Sequence, residues 1–134
     1  MSQKSITVAI VNNNKVLLLK RGETAPYQPN KYCLPGGGVD SGESLITAAI
    51  RETLEETNLS LTREDLRRLV VSYKDGRKRL IYVCEINDPI VVLNYEHSDY
   101  VWLDYDSCWK YYNNRFLVPY LITKLKTLHN RKYF

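Results

Sequence analysis

Apolar and polar positions alternate from Ile6 to Ile10, with Ile6, Val8 and Ile10 on one side and Thr7 and Ala9 on the other, which is the period of a strand. Asn12, Asn13 and Asn14 supply a turn, because asparagine tolerates positive φ. Residues 15–21 return as a second strand, apolar without interruption from Val16 to Leu19. Residues 22–30 hold two prolines and read as a loop, and 31–34 as a short extended piece stopped by Pro35. Gly36, Gly37 and Gly38 read as a glycine-rich turn, after which the period changes. At about 100° per residue, Leu45, Ile46, Ala49, Ile50, Thr53 and Thr57 share one face, so a helix is expected, N-capped by Ser41 and ended at a left-handed Asn58. Two further strands, 66–73 and 80–86, flank Asp75-Gly76, a hairpin signal. A short strand at 90–93, a polar loop at 94–99 and a last strand at 100–103 follow. Asp104 or Asp106 caps a short helix through Tyr111. Leu117, Leu121, Leu125 and Leu128 recur at helical spacing, with Pro119 in that helix's first turn. Strands, helix, strands, helix make an α/β (α+β) chain, a mixed sheet with helices on its faces, in one domain over residues 1–134.

Composition narrows the class. The 134 residues are 44% apolar and 25% charged, ordinary for a soluble domain with a core of its own. A net charge of +4 fits a solvated surface and favours polyanionic partners, without implying nucleic acid by itself. Cys33, Cys84 and Cys108 have no metal-binding spacing and are expected to be reduced thiols in a cytoplasmic setting. The first residues lack the apolar run of a secretory signal, and no segment approaches the ~20 apolar residues of a membrane span.

The helix also carries charge. Glu52, Glu55 and Glu56 lie within about one turn, on the flank of the apolar face, with the small Ala48 among them. Like charges at that spacing repel unless a cation sits between them. Mg²⁺ would serve, since it takes oxygen ligands and usually accompanies a phosphate-bearing substrate. The basic run 74–79 has two readings, a solvated hairpin tip or a phosphate-steering element.

Gly37, five residues, Glu43, seven residues and then Arg51-Glu52-Thr53-Leu54-Glu55-Glu56-Thr57-Asn58-Leu59 resembles the Nudix box of the Nudix hydrolases. The family's pattern is G, five residues, E, seven residues, R-E-U-x-E-E-x-G-U, with U a bulky aliphatic. Gly37, Glu43, Arg51, Glu52, Glu55 and Glu56 match in register, while Thr53 replaces an aliphatic and Asn58 a glycine. Thr53 keeps a valine-like shape, and asparagine is the next-best left-handed cap.

The resemblance implies a Nudix-like α/β/α sandwich and Mg²⁺-dependent hydrolysis, with Mn²⁺ as substitute, of a nucleoside diphosphate linked to another group. It implies Glu52 and Glu56 as main metal ligands, Glu55 helping, and a backbone carbonyl of Gly36 or Gly37 completing the shell. Arg51 would orient the glutamates, and Glu43 would support the loop or bind a second metal. The general base would be Glu52 or a loop glutamate, Glu96, which is also a candidate ligand. Next to it, His97 and Asp99 are weaker candidates. Arg21 resembles a position that meets substrate phosphates, and Lys31 could act likewise. Tyr27, Tyr32, Tyr73 and Tyr82 are candidates to stack on a base, and Trp102 belongs to the core. The residues that mark ADP-ribose or diadenosine polyphosphate subgroups are absent from the window 74–77, as are the coenzyme A and NADH motifs, and the small size fits nucleoside triphosphate or nucleotide-sugar cleavage better. An RNA 5′ end is the alternative partner, a non-catalytic nucleotide-binding module the alternative function, and monomer and homodimer both stay open.

Overall fold

The fold is built on β1 (Ser5–Asn12) and β2 (Lys15–Arg21), a hairpin whose two arms pair only at Val11↔Val16 and Asn12↔Lys15. The computed structural model describes residues 4–74 and 77–134, and gives 71–74 and 77–79 as backbone path alone. Beyond the hairpin end the arms part. The following chain fills the fork. Its β3 (Tyr32–Cys33) pairs with β2, and β4 (Gly36–Gly38) pairs with β1. On the other edge of β1 lies β6 (Arg77–Glu85), parallel to it, and beyond it β5 (Arg67–Lys74), antiparallel. The last strand, β7 (His97–Leu103), closes on β2. The sheet is therefore mixed, with seven strands among the described residues.

Both faces of the sheet are covered, which explains why Val16–Leu19 is apolar throughout. Ile6, Val8, Ile10, Leu17 and Leu19 pack beneath α1 (Leu45–Thr57). Ala9, Val11, Val16 and Leu18 point the other way, into a core shared with α2 (Tyr105–Asn113) and α3 (Leu121–Asn130). This is the expected α/β/α sandwich.

Four local expectations are corrected. The N-cap of α1 is Ser44, not Ser41. The Ser44 hydroxyl accepts the Thr47 N–H at 3.2 Å, while Ser41 lies in a turn closed by the Glu43 N–H on the Asp40 carbonyl. Residues 90–93 form no strand. Val91 is buried, but Val92 N–H goes to the Thr57 carbonyl at 3.0 Å and no ladder forms. The last strand begins at His97, three residues earlier than expected. Finally, Pro119 precedes α3, whose N-cap is Tyr120 at φ 68°, and Leu117 packs from an irregular segment bridged to Tyr32. Asp104 caps α2 through the Ser107 N–H, and Asn58 ends α1 at φ 62°, as expected. The Asp75-Gly76 turn and the side chains of the basic run 74–79 lie outside the described residues, though the strands around them pair as far as Lys74↔Arg77.

Candidate active site

The three glycines expected to turn are extended. Strand β4 runs so close to its neighbours that side chains have no room. A Cβ on Gly36 would stand 2.2 Å from the Ile6 carbonyl oxygen, and one on Gly37 would stand 2.5–2.7 Å from the carboxylate of Glu52. Glycine is required here for close approach. It lets the backbone lie directly against the carboxylates of α1.

Helix α1 meets that backbone with two glutamates. Glu56 is 3% exposed, and its Oε1 accepts the Gly36 N–H at 2.8 Å. Burial pushes its carboxyl up to about 8, with Glu52, Glu96 and Glu55 adding repulsion. Glu52 is half-buried, and burial raises its pKa as well, against the opposing pull of Arg51. Glu55 is on the open side of the helix.

Arg51 organises this cluster from one side. Its Nε and Nη2 hold both oxygens of Glu43, at 2.8 and 2.9 Å, and Nη2 also donates to the Gly38 carbonyl at 2.9 Å. Its Nη1 donates to Glu52 at 3.0 Å and to Glu55 at 3.3 Å. A guanidinium has five N–H donors, so this network occupies all of them. Glu43, held by Arg51 and by the Asp40 N–H, has its carboxyl pulled down to about 2. Glu43 is thus the strut that anchors Arg51.

A cavity of ≈ 670 Å³ opens beside these groups. Its lining takes in Gly36 of β4, Gly37 and Glu56 from the box, Arg21 and Tyr27 from the end of β2 and its loop, and Glu96 and His97 from the start of β7. Register explains the meeting, since Arg21 pairs with His97 across β2 and β7. Arg21 Nε donates to the Tyr27 carbonyl at 2.7 Å. Glu96 is exposed, its carboxylate within 3.4 Å of Asn94 Nδ2. His97 is buried, with Nε2 4.0 Å from Glu56 and 3.9 Å from Cys33 Sγ. Burial lowers its pKa below 6.5, so it faces Glu56 as a neutral imidazole at neutral pH.

Other sequence candidates lie elsewhere. The Lys31 ammonium donates to the Arg115 carbonyl in a separate depression, outside the cavity lining. Tyr32 packs edge-on against Tyr111, Tyr82 is buried under α1, and Trp102 joins the same core. Asp99 is exposed and accepts the Tyr100 N–H. The Tyr73 side chain is outside the described residues. In turn, the cavity includes Cys33, Tyr95 and Lys124, which sequence reasoning did not single out. For Tyr95 a signal existed, its place immediately before Glu96. For Lys124 none did, because only the packing of α3 brings it there.

Among the described residues no group of three or more His, Cys, Asp or Glu side chains already stands in a metal-holding arrangement. The donor chemistry still fits a hard divalent ion. Glu52, Glu55, Glu56 and Glu96 offer oxygen only, and burial together with their mutual repulsion pushes the Glu56 carboxyl up, a cost that a bound cation would relieve.

Comparison with known proteins agrees with this geometry. The sequence profile described as the NUDIX domain matches residues 1–120. The nucleoside triphosphatase NudI of Escherichia coli is 32% identical over 117 residues, covering 77% of this chain and 83% of that protein. A C. elegans Ap4A hydrolase binary complex superposes with a TM-score of 0.70 at 25% identity, covering 96% of this chain and 97% of the other. A bifunctional NMN adenylyltransferase/ADP ribose pyrophosphatase from Francisella tularensis, complexed with AMP and a Mn ion, shares the fold at TM-score 0.74 and 21% identity, covering 98% of this chain and 42% of that one.

Proposed function

The chain belongs to the Nudix family and hydrolyses phosphoric anhydride bonds, and from that premise we propose that it is a Mg²⁺-dependent nucleotide pyrophosphohydrolase whose substrate is a nucleoside triphosphate or a nucleotide sugar. The observation that carries this reading is the shared cavity. Buried Glu56, held against the glycine strand, exposed Glu96 and Arg21 line one space. The NudI relative, a nucleoside triphosphatase, supports the triphosphate in particular.

Glu56 and Glu52, assisted by Glu55 and a carbonyl of Gly36 or Gly37, would hold the cation. Bound Mg²⁺, or Mn²⁺ in its place, neutralises phosphate charge and polarises the phosphoryl oxygens. Arg21 binds the phosphates as a fixed cation at the end of β2. Arg51 acts at one remove. With every donor engaged, it positions Glu52 and Glu55 and does not touch substrate. Glu96 is the better placed of the two candidate bases. It lines the cavity with a loosely tied carboxylate, whereas Glu52 Oε1 is committed to Arg51. The proton of the attacking water passes to Glu96 as the water oxygen bonds to phosphorus and the anhydride P–O bond breaks, pyrophosphate or sugar phosphate leaving with the electron pair, and Glu96→Gln should lower kcat by about 10²–10⁴.

The test is a substrate panel with Mg²⁺, comprising nucleoside triphosphates, nucleotide sugars and 5′-triphosphate RNA, with products identified by phosphorus NMR. The reading expects nucleoside monophosphate with pyrophosphate or sugar phosphate from a small molecule, and no turnover under chelation. Turnover unaffected by chelation, or confined to RNA, overturns it.

A further inference from the structure

We propose that Tyr27 and Tyr95 grip the nucleobase of the substrate at the cavity mouth, an assignment that rests on the nucleotide reading above and adds how the base is held. Of the large apolar side chains left exposed among the described residues, these two line the cavity. Tyr95 is 94% exposed and Tyr27 59%. Neither ring is taken into the core, so both keep surface open at the cavity they line.

The two rings come from different loops, and the sheet ties those loops together. The Tyr27 loop leaves β2 just after Arg21, and the Tyr95 loop enters β7 just before His97, the residue paired with Arg21. One residue further out, Gly22 N–H donates to the Glu96 carbonyl at 3.0 Å. A Cβ on Gly22 would stand 3.3 Å from that oxygen, so the two loops run in close contact here. The rim carrying both tyrosines is therefore fixed relative to the catalytic groups.

Arg21 orders the substrate along this rim. Its Nε bonds the Tyr27 carbonyl, and its guanidinium carbon stands 5.9 Å from the Tyr27 ring centroid. One flank of that ring thus has a cation as neighbour, and the ring still has most of its surface open. A nucleotide seated with its phosphates between Arg21 and the glutamates brings its base to Tyr27 and Tyr95. Every base has a π-face, so stacking recognises a nucleoside without reading its edge. This would produce a site selective for nucleotides over plain phosphates, yet tolerant among bases.

The experiment compares nucleoside monophosphates with ribose 5-phosphate, which differ by the base alone and contain no anhydride to cleave. Calorimetric affinities are measured for the wild type, Tyr95→Ala, Tyr27→Ala and the two Tyr→Phe variants, with circular dichroism confirming the fold. The expected result is a preference for the monophosphates of about tenfold or more in the wild type. Each alanine variant should lose most of it and each phenylalanine variant should keep it. Ribose 5-phosphate bound as tightly as the best monophosphate, no monophosphate bound at all, or a preference that survives both alanine substitutions, overturns the proposal. Because no bond is cleaved, these outcomes are independent of whether the substrate panel shows pyrophosphohydrolysis.

Discussion

The two helical faces of the sheet are built to different ends. On α3 the buried residues are Leu121, Leu125 and Leu128, a plain apolar stripe. On α1 they are Ala48, Ala49, Thr53, Glu56 and Thr57. One face is packed for stability. The other places a carboxylate at 3% exposure and a threonine hydroxyl, Thr53 Oγ1, that has no hydrogen-bond partner among the described residues. Buried polar groups of this kind cost free energy unless paired. The comparison teaches that the α1 face gives up packing quality to hold a charged site, and that the α2/α3 core offsets the loss.

Substitutions should separate the two faces. Gly37→Ala would drive a Cβ into the space of the Glu52 carboxylate, and displacing this proposed metal ligand by about 1 Å can cost about 10²-fold. The expected outcome is that loss in kcat/KM, read by steady-state kinetics, with thermal stability nearly unchanged. Leu125→Ala should do the reverse. It leaves a cavity in the α3 core at a cost of about 2–5 kcal/mol in denaturant unfolding, with kcat of the folded protein retained. If Leu125→Ala lowers kcat as strongly as Gly37→Ala does, the division of labour is wrong.

Smaller effects sharpen the same contrast. Thr53→Val keeps the shape and removes the orphan hydroxyl, so it should raise stability by about 1 kcal/mol without changing turnover. The Glu43 strut gives a pH signature. Its carboxyl titrates near 2 in the fold against an ordinary 4.5, so the unfolded chain takes up the proton first as pH falls. Its contribution is complete above about pH 4.5 and is lost as pH falls through about 2. The stability difference between wild type and Glu43→Gln should shrink across that window, and a difference that stays constant argues against the strut.

Most of this architecture was legible in the chain. Strand alternation marked β1, and an uninterrupted apolar run marked β2 as the returning strand. The box placed four glutamates and Arg51 together because helical spacing and a strand-to-helix entry are local properties. What escaped was tertiary. Three glycines read as a turn, but contact with the Ile6 carbonyl and Glu52 makes them a strand. Ser41 and Ser44 are equally good caps by type, and only the intervening turn at 40–43 decides between them. Ile90–Leu93 has strand-forming residues but no ladder partner. Lys31 is near Arg21 and the box in sequence, yet its ammonium donates to the carbonyl of Arg115, 84 residues away. Tyr95 reads as an ordinary loop residue until β7 is docked on β2.

The central claim is that buried Glu56, held against the glycine strand, is indispensable to anhydride hydrolysis and dispensable to folding. Its most direct test measures turnover and thermal unfolding of wild type and Glu56→Gln side by side, on the best substrate of the panel with Mg²⁺. The account predicts that the substitution abolishes turnover, by at least about 10³-fold, because it removes a ligand of the cation, while the melting transition stays cooperative and does not fall. Full turnover in Glu56→Gln, or loss of turnover only through unfolding, contradicts it.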